Sequence, residues 1–493
     1  MAKKILIIGA GVAGLSAGVH ACRNGYDVEI FERHNLPGGL CTAWERKGYT
    51  IEGCIHWLVG TRPGSQFNRL WAEVCNMDEV EVINHEIFMS IEGDRDKKVN
   101  IYCDMDLLEE HLVEIAPEDE AVIKKITEAA RVLSKAVFPL EKPDELFKIW
   151  DMPGMLLKML PIFKIMGHLS RISIKDYLQQ INNPLLKEAL GLVMPTGYSM
   201  ISLVSTLASL HSNDAGFPRG GSLNFVQSIE NRYLELGGRV NYRSRVKKIL
   251  IDSGQAVGLE LDDGSKIYGD LIISAADLHH TLYDLLGGRY ITPLIEESFA
   301  TLPVYSSVQV SFGVESDLSG EVDTAVVRLD DPITLGSEHN RYIYLTNFSF
   351  DPTLAPGGKT VIRSTLYSTY EHWEAAAKDK ERYRKKKEQL AGLVIKAVEK
   401  RFPAVKDRIE VVDVATPVTF SRYTGVWKGA YMAWIVPPAA GRFKIPKQLP
   451  GLENFYQIGQ WVMPPAGLPG SMLTGRHVVQ IICRQDKKPF VLN

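Results

Sequence analysis

KKILIIGAGVAGLSAGVHACRNGYDVEIFER, residues 3–33, decides the fold. An apolar run at 4–8 reads as a buried strand, the glycines as a turn, the next stretch as a helix to about residue 24, and Val28 to Phe31 as a second strand. Together they make a βαβ unit. Gly9, Gly11 and Gly14 have the G-x-G-x-x-G spacing, with Ala13 inside it. The first glycine permits a tight turn, the second brings backbone amides against a pyrophosphate, and the third lets helix meet strand. The helix amino terminus then favours negative charge through its unpaired N–H groups and its dipole. Glu32 follows Gly14 by 18 residues and ends the second strand, where a carboxylate can accept both hydroxyls of an adenosine ribose. The stretch therefore predicts a dinucleotide site.

The fingerprint alone does not choose between NAD and FAD, since both carry the adenosine half. The next residues do: Arg33 follows the acid, and LPGGL occupies 36–40. Here the chain resembles the flavin-binding amine oxidase and phytoene desaturase superfamily. By that resemblance the cofactor is FAD, and Arg33, Gly38, Gly39 and Leu40 line the diphosphate and the approach to the flavin ring. Residues 217–277 are similar to the family's proline and double-glycine entry, helix and β-meander, with Val246 meeting the adenine through its backbone. Residues 454–480 are similar to its carboxy-terminal flavin motif, in which Gly459, Gln460, Pro469, Gly470 and Met472 are implied at the cofactor, with a helix starting near Pro469. Gln460 stands where many members carry an acid.

The implied fold is α/β (α+β overall): a Rossmann-like FAD-binding domain of the glutathione reductase/amine oxidase type, from 1–85, 215–290 and 450–493. A substrate domain of mixed sheet plus helices, from 86–214 and 291–449, interleaves with it. A chain of 493 residues is long enough for two such domains. With 56 Lys plus Arg against 59 Asp plus Glu, the net charge of -3 gives no general attraction to nucleic acid. The six cysteines show no C-x-x-C pair and no metal-ligand spacing, so reduced thiols, no metal and a cytoplasmic location are expected. The amino terminus runs straight into a strand, unlike a signal peptide, and no stretch reaches the roughly 20 apolar residues of a bilayer span.

Block 105–210 has helical periodicity, while 300–440 opens with strand-like alternation in VYSSVQVSFGV. The charged run KDKERYRKKKEQL, 378–390, reads as a solvated helix face. LFKIWDMPGMLLKMLPIFKIMGHL, 146–169, is the most apolar part, and Pro153 and Pro161 are expected to interrupt any long helix there. Two readings stand: buried helices roofing the substrate cavity, or a peripheral contact dipping into one membrane leaflet.

GYTIEGCIHWLVG, 48–60, resembles a segment of retinol saturases and their bacterial relatives, with Glu52 where that pattern usually has Asp; TPVTFSRYTGVWKGAYMAW, 416–434, resembles their threonine-proline and G-x-Y segment. The resemblance implies an FAD-dependent oxidoreductase acting on carbon-carbon bonds of an isoprenoid, carotenoid or retinoid-like lipid, by saturation or desaturation. A redox-neutral carotenoid isomerase is the alternative, then an amine or amino-acid oxidase, then a non-catalytic carrier. The turn AGLPG, 466–470, lacks the aromatic residue that amine oxidases place before the flavin. His56 is read either as the proton carrier, because imidazole titrates near neutral pH, or as a core histidine. Trp57, Trp427, Tyr431 and Trp434 are read either as walls for a polyene or as ordinary core, and Tyr49 has the same ambiguity. No second dinucleotide fingerprint is present, so the hydrophobic substrate is expected to share the enzyme with an external electron donor or acceptor: a quinone, oxygen, NAD(P)H or a redox protein.

Overall fold

The computed structural model describes residues 2–93, 97–148, 152–438, 443–464 and 467–492. β1 (Lys4–Ile8), α1 (Val12–Arg23) and β2 (Asp27–Phe31) form the expected unit. β1 sits inside a five-stranded, wholly parallel sheet in the order Arg239–Asn241, β2, β1, Leu271–Ser274, Phe455–Gln457. Three regions far apart in sequence thus meet in one sheet. β1 is apolar throughout its buried length because both faces are covered: Ile5 and Ile7 pack toward α1 and its neighbours, Leu6 and Ile8 toward the meander Val246–Asp252, Gln255–Leu261, Lys266–Tyr268. The carboxy-terminal helix Gly467–Gln485 lies directly on α1. Gly475 permits that approach, since a Cβ there would meet the Ala13 carbonyl oxygen at 2.6 Å.

A second sheet of seven strands runs Ile409–Ala415, Ser306–Val314, Thr360–Ser368, Glu338–Asn347, Thr324–Leu335, Ile87–Glu92, Lys98–Tyr102. Its pairs are antiparallel except the parallel contact of Thr324–Leu335 with Ile87–Glu92. Opposed residues share a face, so the register sorts the side chains. Val308, Val310, Phe312, Ile343, Leu345, Ile362 and Leu366 form one apolar face, packed with Leu390, Val394 and Val398 of the helix Lys380–Arg401. The charged run 378–390 covers the outside of that helix. Ser307, Gln309, Arg363, Thr365, Tyr367, Tyr344 and Thr346 form the other face, turned inward toward the first domain.

Helices Met105–Ile115, Glu120–Leu133, Met152–Leu169, Pro184–Val193 and Met200–His211 share a further core. The expected break at Pro153 and Pro161 does not occur, and Met152–Leu169 is one helix of 18 residues. Pro153 falls in its first turn, where the missing N–H has no intrahelical partner to lose. Pro161 lies inside, and burial of Ile162 and Leu169, with Met159, Ile165 and Met166 packed alongside, outweighs the lost hydrogen bond. Residues 149–151 of the apolar stretch lie outside the described residues. Among the described residues, no helix is long and apolar enough to cross a membrane.

Candidate active site

One cavity of about 1290 Å³ begins at the β1–α1 turn and runs between the two sheets to the helical core. Its first part is a cradle of backbone. Gly9 adopts φ +98°, and its N–H donates to the Phe31 carbonyl at 2.9 Å, turning the chain sharply off β1. Gly11 caps α1 without a side-chain cap, which leaves the first amides of the helix facing the cavity between Gly11 and Ala13. Gly14 does not reach the cavity; an added Cβ would lie 2.0 Å from the Gly9 carbonyl oxygen, so its role is the close helix-to-turn contact. Glu32 is buried at the end of β2, where Oε2 accepts from the Ala10 N–H and Oε1 from the His34 N–H, both at 2.8 Å. Two bonds use part of the carboxylate's capacity, and the rest faces the cavity, in place for ribose hydroxyls.

Arg33, Gly38, Gly39, Leu40 and Val246 line the same space, as do Gly459, Gln460, Pro469 and Gly470 at the amino end of the carboxy-terminal helix. Arg33 is held by donation from Nη2 to the Arg422 carbonyl at 3.1 Å, and Gly459 N–H donates to Thr474 Oγ1 at 2.8 Å. Met472 departs from expectation. It is buried in the core behind the cradle, and only its carbonyl is engaged, by the Ser16 hydroxyl at 2.8 Å. Two helix amino termini, a ribose carboxylate and an arginine around one elongated space fit a dinucleotide of the size of FAD.

Beyond the cradle the cavity becomes a chamber. Phe88 and Met89 of the strand Ile87–Glu92 line it together with Met166, Leu192, Met194 and Ile201 of the helical part, and the polar residues of Ser306–Val314, Glu338–Asn347 and Thr360–Ser368 complete the wall. The volume exceeds the roughly 300–1,000 Å³ of a pocket for one small molecule, which leaves space for a second molecule beside the dinucleotide.

His56 lines this chamber, its ring accessible from the cavity. Arg363 Nη2 lies 3.0 Å from His56 Nδ1. A guanidinium has donors and no acceptor, so Nδ1 accepts and the neutral ring carries its hydrogen on Nε2. Burial, then the charge of Arg363, hold the imidazole well below its ordinary range. With Nδ1 engaged by Arg363, the neutral ring presents an Nε2–H donor to the chamber. Arg363 is itself buried, with Nη1 directed at the Glu52 carbonyl at 3.4 Å, its guanidinium 5.1 Å from the Phe348 ring, and no hydrogen-bond partner on Nε among the described residues. Glu52 anchors the whole segment. Its carboxylate accepts from the Cys54 and Ile55 amides and from both the amide and hydroxyl of Ser222, tying residues 52–56 to the helix Gly221–Glu235.

Of the proposed aromatic walls, Trp57 and Tyr431 line the chamber. Trp427 and Trp434 do not. Trp427 stacks on His279 with ring centres 5.2 Å apart, and Trp434 is fully buried against Phe299 and Trp461. Asp277 holds Trp427 there by accepting from its backbone N–H at 3.0 Å; burial pushes that carboxyl up to about 6. Tyr49 is core, with its hydroxyl on Glu410 Oε2 at 2.5 Å.

A family model for flavin containing amine oxidoreductases matches residues 12–483, nearly the whole chain. The chain belongs to the flavin-containing amine oxidoreductase family. Its cofactor is FAD, which requires the dinucleotide cradle just described. Among its relatives, the chloroplastic prolycopene isomerase of Arabidopsis thaliana is 26% identical, across 99% of this chain and 84% of that protein. The all-trans-retinol 13,14-reductase of Macaca fascicularis is 25% identical, across 86% of this chain and 76% of that protein. A crystal structure of an oxidoreductase from Methanosarcina mazei superposes with a TM-score of 0.63 at 16% identity, covering 97% of this chain and all of that one, which shows a shared fold.

In this flavin-containing amine oxidoreductase the sequence reading passed over several chamber residues: Arg363, Gln309, Tyr198, Tyr344 and Tyr367. Gln309 Nε2 donates to the Gly53 carbonyl at 3.0 Å, and its Oε1 has no protein partner among the described residues. The Tyr367 and Tyr431 hydroxyls pair, and burial pushes Tyr367 up to about 12, so both remain neutral phenols. A signal did exist. In SSVQVSF and IRSTLY the polar residues alternate with apolar ones, marking a polar strand face, but strand alternation does not say whether that face meets solvent or a cavity.

Proposed function

We propose that this FAD-dependent oxidoreductase acts on carbon-carbon double or single bonds of an isoprenoid lipid of the carotenoid or retinoid class, by saturation or desaturation. The supporting observation is the continuity of the flavin cradle with a chamber lined by Phe88, Met89, Met166, Leu192, Met194 and Ile201, which suits an apolar chain. Bound FAD supplies hydride exchange at N5. The chain supplies orientation: Trp57 and Tyr431 offer flat aromatic surface to a conjugated chain, and His56 Nε2–H and the neutral phenols offer donors beside it. The buried sheet face excludes bulk water. An external two-electron partner completes either direction of the reaction.

Redox-neutral cis-trans isomerisation is the second reading, favoured by the resemblance to prolycopene isomerase along 99% of the chain. Chromatography of polyenes incubated anaerobically with oxidised or reduced holoprotein separates the readings. Saturation shortens the chromophore, desaturation lengthens it, and isomerisation alters only its shape. Unchanged polyenes in every case sink the proposal. In the same reading a lipid bilayer is the substrate's source, reached peripherally through the helix Met152–Leu169, where Phe163 is 44% exposed. Failure of the protein to co-sediment with vesicles removes that part.

A further inference from the structure

Cys41 and Cys54 are 13 positions apart and belong to no recognisable pair in the sequence. The fold places them opposite each other. Strands Ala43–Arg46 and Tyr49–Glu52 form a hairpin in which Ala43 faces Glu52 and Arg46 faces Tyr49. Lys47 at φ 51° and Gly48 at φ 82° make the two-residue turn that fixes this register. The ladder continues past the named strands, because Gly53 N–H donates to the Thr42 carbonyl at 3.1 Å. Thr42 and Gly53 are thus a hydrogen-bonded pair, and the next pair outward, Cys41 with Cys54, is of the non-hydrogen-bonded kind. The Cys54 amide agrees, since it donates instead to Glu52 Oε1 at 2.8 Å. Non-hydrogen-bonded partners sit about 4.5 Å apart at Cα, inside the roughly 4.4–6.8 Å that a disulfide spans. The two thiols are free and neighbouring, Cys41 Sγ donating to the Ser222 carbonyl at 3.6 Å, and both line the cavity just past the Gly38–Gly39 turn.

We propose that Cys41 and Cys54 are a redox-active dithiol in the wall of the flavin cavity, closing to a cross-strand disulfide. With hydrogen peroxide as oxidant, Cys54, the more open of the two, attacks the peroxide bond through sulfur, giving a sulfenic acid and one water. Cys41 sulfur then attacks the sulfenic sulfur, the S–S bond forms, and a second water leaves. Two thiols and one peroxide yield one disulfide and two waters; an external dithiol supplies the two electrons and two protons of the reverse step. The closed form ties the Gly38–Cys41 part of the cradle to the segment carrying His56, so the state of the pair sets the play between cofactor wall and chamber. The neighbouring Cys54 thiol and then burial push Cys41 up, which keeps the open pair from oxidising through Cys41 alone.

The test is peptide mapping without reductant, on FAD-loaded protein titrated with hydrogen peroxide and then alkylated under denaturing conditions. The expected result is loss of two alkylatable thiols per chain, recovery of a linked Cys41–Cys54 peptide, and reversal by dithiothreitol. Cys22, Cys75, Cys103 and Cys483 stay alkylatable. In Cys41→Ser the linked peptide is absent and Cys54 is trapped by dimedone as a sulfenic acid. Because the wild-type protein carries the main readout, misfolding of that variant leaves the test intact. Six alkylatable thiols after peroxide, a different linked pair, or sulfinic acid at Cys54 beside a free Cys41 each overturn the proposal.

Discussion

Alanine in place of glycine inside a helix ordinarily stabilises by about 0.5–1 kcal/mol, because the backbone has less freedom to lose. Two glycines in this chain should respond with opposite sign. Gly392 sits on the exposed side of Lys380–Arg401 with nothing within 4 Å of an added Cβ, so Gly392→Ala should gain that amount. Gly14 is in the first turn of α1, where a Cβ would lie 2.0 Å from the Gly9 carbonyl oxygen and 3.2 Å from Ala275 Cβ. Both obstacles belong to the packed sheet and turn, so relief requires α1 to retreat by about an ångström. Overpacking of this sort costs about 1–3 kcal/mol or more, which cancels the propensity gain and leaves a net loss of about 1–2 kcal/mol. The same retreat withdraws the helix amides from the diphosphate position, so FAD retention should fall at least tenfold. Urea unfolding midpoints of the two variants, with flavin released per chain after denaturation, measure both effects. A Gly14→Ala protein as stable and as fully flavinylated as wild type would refute the reasoning about this contact.

Glu32→Ala strips the partners from the Ala10 and His34 amides as well as the ribose contact, and should weaken FAD binding by one to two orders of magnitude in a fluorescence titration, from about 1.5–3 kcal/mol per charged hydrogen bond lost. Arg363→Met removes the donor to His56 Nδ1 and one of the two causes that lower its pKa; nitrogen NMR of the ring should show a mixture of tautomers and a raised titration midpoint, and an unchanged single Nε2–H tautomer would contradict the assignment. His477, buried, donates from Nε2 to the Leu140 carbonyl at 2.8 Å, and burial lowers it to about 4. Its unfolded form takes up a proton near pH 6.5 while the folded form does not, so stability should fall as pH drops from about 6.5 toward 4, by up to about 1.4 kcal/mol per pH unit. His477→Gln should remove about one proton from that slope in urea unfolding at graded pH, and an unaltered slope would count against it.

The cofactor cradle was largely legible because backbone chemistry writes itself into glycine spacing. A turn at φ +98° demands Gly9 whatever surrounds it, Gly11 starts the helix with its amides bare, and Glu32 follows from the length of one helix and one strand. Where tertiary partners decide, the residues alone fell short. The partner of His56 was invisible locally, since Arg363 on its Nδ1 lies 307 positions later. Trp427 and Trp434 were as apolar as Trp57, but Asp277, His279 and Phe299 draw them into a separate aromatic core. Pro161 was read by its local cost, which the packing of Ile162 and Leu169 overrides. The Cys41–Cys54 contact depended on a turn at Lys47–Gly48 that sets a register no cysteine count reveals.

Anaerobic spectroscopy of the FAD-loaded protein tests the central claim most directly, that a flavin in this cradle faces an isoprenoid chain in the adjoining chamber. Photoreduced holoprotein mixed with conjugated polyenes should regain its oxidised flavin spectrum, or oxidised holoprotein should bleach with a more saturated chain, or the polyene should isomerise under only one flavin redox state; putrescine should leave the flavin untouched. Bleaching by the amine with release of ammonia, or a flavin indifferent to every polyene, would contradict the account.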